Sequence, residues 1–163
     1  MKKFEEWFTT PESLPKPKPD FNNLLRVLRG EKPDRYTLFE FFMNEELHNR
    51  LCGHAPDPKN PDGVLENTMG AFWRAGYDYV TFHASNYSFP TNNGVQTKSS
   101  ISIDAGAVIT DEESYEKYVW PDPDEAYDGR IERMGKKLPD GMKIMVCGPG
   151  GVLENAMALM GYE

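Results

Sequence analysis

The sequence predicts an α/β fold, made of roughly the first three βα units of a TIM-type (β/α)8 barrel with an N-terminal arm and a β-hairpin-like insertion. Short apolar segments alternate with longer segments of helical periodicity, which is the pattern of right-handed βαβ connections in a parallel sheet. A parallel sheet needs both faces covered, and a complete barrel takes about 250 residues, whereas this chain has 163. We therefore expect further strands to complete the barrel.

Composition narrows the possible partners. The chain has 26 acidic and 18 basic residues, a net charge of −8, which disfavours nucleic acid and anionic membranes because both select basic surfaces. The sequence has no apolar run of about 18 residues and no apolar segment after its charged N-terminus, so we expect a cytoplasmic protein. The two cysteines, Cys52 and Cys147, fit reduced thiols better than a disulfide framework.

The first predicted elements follow an extended arm. Residues 1–19 contain four prolines and are expected to be extended, and the barrel part covers 20–163. Helical spacing, aromatic enrichment and turn residues then predict a helix, a buried strand and a second helix. These three elements are expected at Phe21–Leu28 (after the cap Asp20), Tyr36–Phe42 and Asn44–Leu51 (before Gly53).

The rest of the chain alternates between helices and strands around one excursion. Ser85–Thr110 contains an Asn-Asn-Gly turn and alternating residues, which indicates a β-hairpin-like insertion. Periodicity and flanking Gly and Pro residues predict the other elements. The helices are expected at Gly63–Ala75, Asp111–Tyr118, Asp124–Lys137 and Val152–Met160, and the strands at Tyr79–Phe82 and Met142–Cys147.

Three segments in this order resemble the N-terminal half of the uroporphyrinogen decarboxylase superfamily. They are RVLRGEKPDR at 26–35, AGYDYV at 75–80 and CGPGG at 147–151, and the resemblance spans about residues 20–163. It implies a barrel enzyme of one of two branches. One branch decarboxylates porphyrinogen acetates without a cofactor, and the other transfers methyl groups between a corrinoid and an acceptor with zinc.

Charge distinguishes the branches. The decarboxylase branch carries an arginine-rich segment after the first strand to bind substrate carboxylates, whereas this chain has Glu45 and Glu46 there. Glutamate would repel a polycarboxylate, so the resemblance is closer to the methyltransferase branch. It implies a corrinoid protein as partner and zinc ligands in the C-terminal half of the barrel, so that this segment alone binds no cofactor.

Two alternatives remain open. One is a decarboxylase of porphyrinogen-like acids. The other is a nonenzymatic half-barrel that binds a small ligand, pairs with a complementary C-terminal half or forms a homo-oligomer. Cys52 and His54 supply only two donors, which cannot complete a tetrahedral zinc site. No metal ligand is therefore predicted in this segment.

Candidate site residues are those expected at the C-terminal ends of strands, where barrel enzymes place their reacting groups. Glu40 and His83 are the predicted catalytic pair, since a carboxylate on an apolar strand and an imidazole at a strand end can exchange protons. Ion pairing and core packing are the structural alternatives. Substrate contacts are predicted for Ser85, Asn86, Gly150, Gly151, Glu154 and Asn155, although turn and helix capping could also explain these residues.

Overall fold

The computed structural model describes residues 15–91, 107–148 and 150–162. Short helices and two short strands form most of its regular structure. The elements are α1 (Asn22–Leu28), α2 (Glu45–Cys52), α3 (Gly63–Arg74), β1 (Tyr79–His83), α4 (Glu112–Lys117), a 3-10 turn (Pro123–Glu125), α5 (Arg130–Gly135), β2 (Lys143–Cys147) and α6 (Val152–Met160). No helix in these ranges is long and apolar enough to cross a membrane.

The chain divides into two compact units, each built from two segments. The first unit comprises Met1–Phe82 and Gly129–Cys147, and the second comprises His83–Asp128 and Gly148–Glu163. Apolar side chains from both segments of the first unit form one core, which removes their surface from water. Its buried members are Leu24, Met69, Phe72, Tyr79, Val80, Phe82, Met134 and Met142.

Strands β1 and β2 are hydrogen-bonded neighbours in a two-stranded sheet. The Lys143 N–H donates to the Asp78 carbonyl at 3.2 Å, which places the starts of the two strands side by side, as in a parallel pair. The first four residues of β1 are buried, whereas no residue of β2 is. The α/β class is therefore confirmed, while the barrel remains a prediction.

The first predicted strand is wrong. Tyr36–Phe42 has no strand structure, and most of its side chains are exposed, with Tyr36 at 96%. The backbone of Glu40 is instead hydrogen-bonded to the side chain of Tyr79. The Glu40 N–H donates to the Tyr79 hydroxyl at 2.6 Å, and that hydroxyl donates to the Glu40 carbonyl at 2.7 Å.

The helix predicted at Asp124–Lys137 is divided in two. Gly129 has a left-handed φ of +72°, which an α-helix cannot continue through. The 3-10 turn therefore lies on one side of this glycine and α5 on the other.

Most other predicted elements are confirmed. Helix α2 begins one residue after the predicted start, because Asn44 is its cap and accepts from the Leu47 N–H at 2.8 Å through its side chain, and it ends at the predicted Gly53, with φ +77°. Helix α6 has the predicted bounds. The described parts of the excursion, 85–91 and 107–110, contain no strand. The expected hairpin turn and the arm up to residue 14 lie outside the described residues.

Candidate functional site

Glu40 is exposed and lies in an irregular segment, so its predicted position near a strand end is wrong. Its carboxylate accepts from the Phe41 N–H at 2.9 Å, and its backbone is held by the Tyr79 hydroxyl. The segment is thus positioned by a buried tyrosine, while the Glu40 side chain faces the surface.

His83 occupies its predicted position as the last residue of β1, and its side chain is exposed. It belongs to the second unit, whereas Glu40 belongs to the first. Ser85 accepts a hydrogen bond from the Tyr87 N–H at 3.1 Å, which is a local turn contact. Asn86 is exposed.

Four other predicted residues lie together at the start of α6. The Asn155 side-chain amide donates to the Gly150 carbonyl at 2.8 Å and to the Gly151 carbonyl at 3.0 Å. The Glu154 carboxylate lies against the backbone of Gly151, where a Cβ atom would collide with it. These contacts brace the turn before the helix, which is the capping alternative stated above.

A groove in the first unit offers a larger candidate site. It has a volume of about 590 Å³ and lies along α3, beside the end of α2 and the loop that follows. This volume is within the range of about 300–1,000 Å³ typical of small-molecule sites. The groove is lined by Cys52, His54, Ala55, Pro56, Asp57, Asn60, Gly63, Glu66, Asn67, Gly70, Trp73 and Arg74.

One face of α3 forms a wall of the groove. Its lining residues recur at helical spacing, at positions 63, 66, 67, 70, 73 and 74. Two of them are glycines that leave room for neighbouring groups. A Cβ at Gly63 would lie 2.9 Å from the Asp57 carbonyl, and one at Gly70 would lie 3.1 Å from the Cys52 sulfur. The loop and α2 can therefore approach this face closely.

Charges in the groove have specific partners. The Glu66 carboxylate accepts from the Asn60 amide at 2.8 Å and from the Lys137 ammonium. The Cys52 thiol donates to the Asn67 carbonyl at 3.2 Å. Burial raises the pKa of the Cys52 thiol, against a smaller opposing effect of Arg74. The thiol is accordingly protonated at neutral pH and is a poor nucleophile.

Asn67 is the buried polar side chain of the groove. It is 4% exposed, and its amide nitrogen donates to the Asn49 side-chain oxygen at 2.7 Å. Its own Oδ1 has no hydrogen-bond partner in the part of the chain that the structure describes. An unpaired buried acceptor costs about 1–3 kcal/mol, so this oxygen would gain from a donor brought by a ligand.

The described residues do not form a metal centre. They contain no group of three His, Cys, Asp or Glu side chains that could hold an ion. Cys52 and His54 supply at most two donors, and the thiol already donates its proton to a carbonyl. The zinc implied by the resemblance therefore does not fit these residues.

The groove is not predicted from the sequence. Sequence patterns indicate Cys52 and His54 only as possible metal donors and do not indicate Asn67 or Arg74 as site residues. A signal was present in the helical spacing of Glu66, Asn67, Trp73 and Arg74, with Gly70 between them. These residues include polar and aromatic side chains, and Gly70 provides no side chain on the same face of the helix.

Comparison of this chain with protein-family models, curated proteins and solved structures gives no match.

Proposed function

We propose that this chain is the N-terminal part of an α/β barrel-type enzyme of the uroporphyrinogen decarboxylase kind, and that the completed enzyme transfers methyl groups with a corrinoid protein. The completion of the sheet is the part of this proposal that geometry supports. The exposure of β2 carries it: Val146 is 53% exposed, although it lies on a strand next to the fully buried β1 residues Tyr79 and Val80.

Exposure of β2 supports completion by added strands because parallel sheets are covered on both faces. A strand without a further neighbour also leaves backbone donors and acceptors unpaired at its edge. Strands of a complementary segment or of a second copy would cover Val146 and pair with this edge.

The choice of methyl transfer over decarboxylation rests on charge. A porphyrinogen carries several carboxylates, and arginine is the efficient group for binding them. In the first unit, four arginines are already paired with carboxylates of the chain itself. These ion pairs are Arg26–Asp34, Arg35–Asp78, Arg50–Glu46 and Arg133–Asp62.

In this proposal zinc is bound by residues other than those that the structure describes. In the methyltransferase branch zinc would support the methyl exchange with the corrinoid, and the described residues contain no group of three His, Cys, Asp or Glu side chains that could hold it. Glu40 and His83 stay predicted catalytic residues, each within its own unit, and the side chain of each is exposed.

The test uses the protein encoded by the complete gene, with methylcob(III)alamin, a zinc salt and a small thiol. Transfer forms the methyl thioether and cob(I)alamin and releases the thiol proton, and loss of the methylcobalamin absorbance measures its rate. Uroporphyrinogen is assayed in parallel for release of carbon dioxide.

We expect methyl transfer and no decarboxylation. Formation of coproporphyrinogen would favour the decarboxylase alternative. Neither reaction, together with stable assembly through β2, would favour the nonenzymatic half-barrel.

A further inference from the structure

We propose that an acidic aromatic face of the second unit binds the proline-rich arm segment, Pro15–Pro19, of a second copy of this chain. The residues that define the face are Glu112, Tyr115, Glu116 and Trp120. The arm segment has the sequence Pro-Lys-Pro-Lys-Pro. Neither the groove along α3 nor the predicted catalytic residues take part in this contact.

Trp120 lies at the centre of an aromatic cluster in the second unit. Its ring centre lies 4.7 Å from that of Tyr118, 5.6 Å from that of Tyr115 and 6.2 Å from that of Phe89. Trp120 is 46% exposed and Tyr115 is 48% exposed. The Tyr118 hydroxyl already donates to the Pro90 carbonyl at 2.8 Å. The Trp120 indole N–H and the Tyr115 hydroxyl have no partner among the described residues, so both can donate to a ligand.

The arm segment is restricted to a conformation that aromatic surfaces bind. Each of its residues is a proline or precedes one, which favours polyproline II, and the segment has no helix or strand structure. The Lys18 carbonyl accepts from Arg35 at 3.4 Å, whereas the carbonyls of residues 15–17 have no partner in the described part of the chain. These carbonyls can accept from Trp120 and Tyr115, as in other proline-rich segments bound to aromatic grooves.

The charges of α4 make this face acidic. Lys117, the basic residue of the helix, is paired with Glu113. Glu112 and Glu116 are exposed, and the described residues give neither of them an ion pair. They are four residues apart, and Tyr115 lies three residues after Glu112, so the three side chains share one side of the helix. A ligand that packs on Tyr115 therefore lies beside two carboxylates that the chain itself does not neutralise.

The arm segment carries the complementary charge. Lys16 and Lys18 are exposed and have no ion pair among the residues that the structure describes. They are two residues apart, about 6 Å in polyproline II at 3.1 Å per residue. Glu112 and Glu116 are separated by about 6 Å along α4, at 1.5 Å per residue. Because lysine side chains are long and flexible, both ammonium groups can reach these carboxylates while the prolines contact the aromatic rings.

The first experiment is calorimetric titration of the full chain with the peptide acetyl-Pro-Lys-Pro-Lys-Pro-amide. We expect a Kd of about 1 mM or lower, and weaker binding at higher salt because exposed charges are screened. Two matched peptides each change one feature. Alanine in place of proline removes the conformational restriction, and glutamate in place of lysine reverses the charge. Each is expected to bind at least about fivefold more weakly.

Glu116→Lys tests the acidic part of the face. Its control is Glu31→Lys, which changes the net charge equally at an exposed residue of the first unit. Trp120→Ala tests the aromatic part, with Tyr36→Ala as its control because Tyr36 is 96% exposed in the first unit. We expect each face variant to bind the peptide at least about fivefold more weakly, and each control to bind it like the parent.

Substitution of the arm segment tests whether its partner is a second copy. Lys16→Glu combined with Lys18→Glu is made in the Val146→Lys chain, so that the exposed strand β2 does not dominate association. The control in the same chain combines Lys32→Glu with Lys59→Glu, at exposed lysines outside the arm segment. We expect the arm substitutions, and not the control, to weaken self-association at least about fivefold in sedimentation equilibrium.

Three results of the peptide experiments would each overturn the proposal: no binding, equal affinity for the three peptides, or equal affinity of Glu116→Lys and Glu31→Lys. The peptide series on the parent chain tests it even if Trp120→Ala fails to fold. Equal self-association with and without the arm substitutions would overturn the second copy as the occupant, and peptide binding would then indicate a basic proline-rich segment of another protein.

Discussion

The hydroxyl of Tyr79 bonds to both backbone groups of Glu40, accepting from its N–H at 2.6 Å and donating to its carbonyl at 2.7 Å. Tyr79 is fully buried, whereas Glu40 is exposed. One side-chain group thus performs for residue 40 the pairing that a neighbouring strand would otherwise provide.

Removal of this hydroxyl should destabilise the fold. Tyr79→Phe keeps the ring in the core but leaves two backbone groups without their partner, and we expect a loss of about 1 kcal/mol in the free energy of unfolding. Urea denaturation measures the change. Tyr36→Phe is the control because Tyr36 is 96% exposed, and an equal effect of the two substitutions would contradict the prediction.

The same contact explains what sequence reasoning missed at Tyr36–Phe42. Aromatic enrichment predicts a buried strand here, whereas Phe39 is 53% exposed and makes only a ring contact with Tyr79, at 5.9 Å between ring centres. Aromatic composition, however, does not distinguish a strand from an extended segment held by a distant hydroxyl. The partner lies 39 residues away in the chain, and local pattern contains no information about it.

Elements with local determinants were predictable. The ends of helix α2 are set by Asn44 and Gly53, and α6 is a largely apolar segment that begins directly after glycine. The helix break at Gly129 is not predicted, because a glycine inside a periodic segment can be tolerated in a helix. The groove depends on the packing of α2 against α3 and on the burial of Asn67. Such tertiary packing cannot be obtained from the sequence of one helix.

A second prediction concerns Asp78, whose side chain is 3% exposed. It accepts from the Asp20 N–H at 2.7 Å and from the guanidinium of Arg35. Asp78→Asn removes the charge that Arg35 neutralises, so we expect a loss of about 2 kcal/mol in unfolding free energy. Thermal unfolding measures it.

The control for Asp78 is Glu113→Gln, which breaks an ion pair with Lys117 at the surface of α4. Such exposed pairs contribute about 0–1 kcal/mol. A Tm change in Glu113→Gln as large as that in Asp78→Asn would show that burial of the carboxylate is unimportant.

A third prediction concerns pH. Burial lowers the pKa of His48 from its ordinary value of 6.5, with Glu45 acting weakly in the opposite direction. The unfolded chain therefore takes up a proton more readily than the folded chain as the pH falls below 6.5. The difference in pKa between the two states contributes to the free energy of unfolding above this pH. That contribution is progressively lost below it, until the folded-state pKa is passed.

Denaturant titrations between about pH 7 and about pH 5 measure this dependence. His48→Phe removes the titrating ring and should reduce the loss of stability on acidification. His54→Phe is the control because His54 is exposed, and it should keep the parental dependence. An unchanged slope in His48→Phe would contradict the assignment to His48.

A fourth prediction concerns the exposed face of β2. If added strands complete the sheet, the chain alone should self-associate as its concentration rises, because apolar surface and strand edges remain uncovered. Val146→Lys places a charge there and should weaken association at least about tenfold. Sedimentation velocity measures the change.

Val27→Lys is the matched control, since Val27 is 43% exposed on α1 rather than on the sheet. It should associate like the parent chain. A parent chain that stays monomeric at all concentrations would contradict the open sheet edge.

The two-segment construction of the first unit has a consequence for synthesis on the ribosome. Phe72, Tyr79 and Val80 precede residue 83, but their core partners Met134 and Met142 follow residue 129. At about 5–20 residues per second, the chain from 82 to 142 takes roughly 3–12 s to emerge. Throughout that interval the six earlier buried residues of the core lack the two later ones. Apolar side chains of the incomplete core are therefore exposed on the nascent chain during this interval. Correct folding then requires either that aggregation is slower than synthesis or that a chaperone covers these side chains.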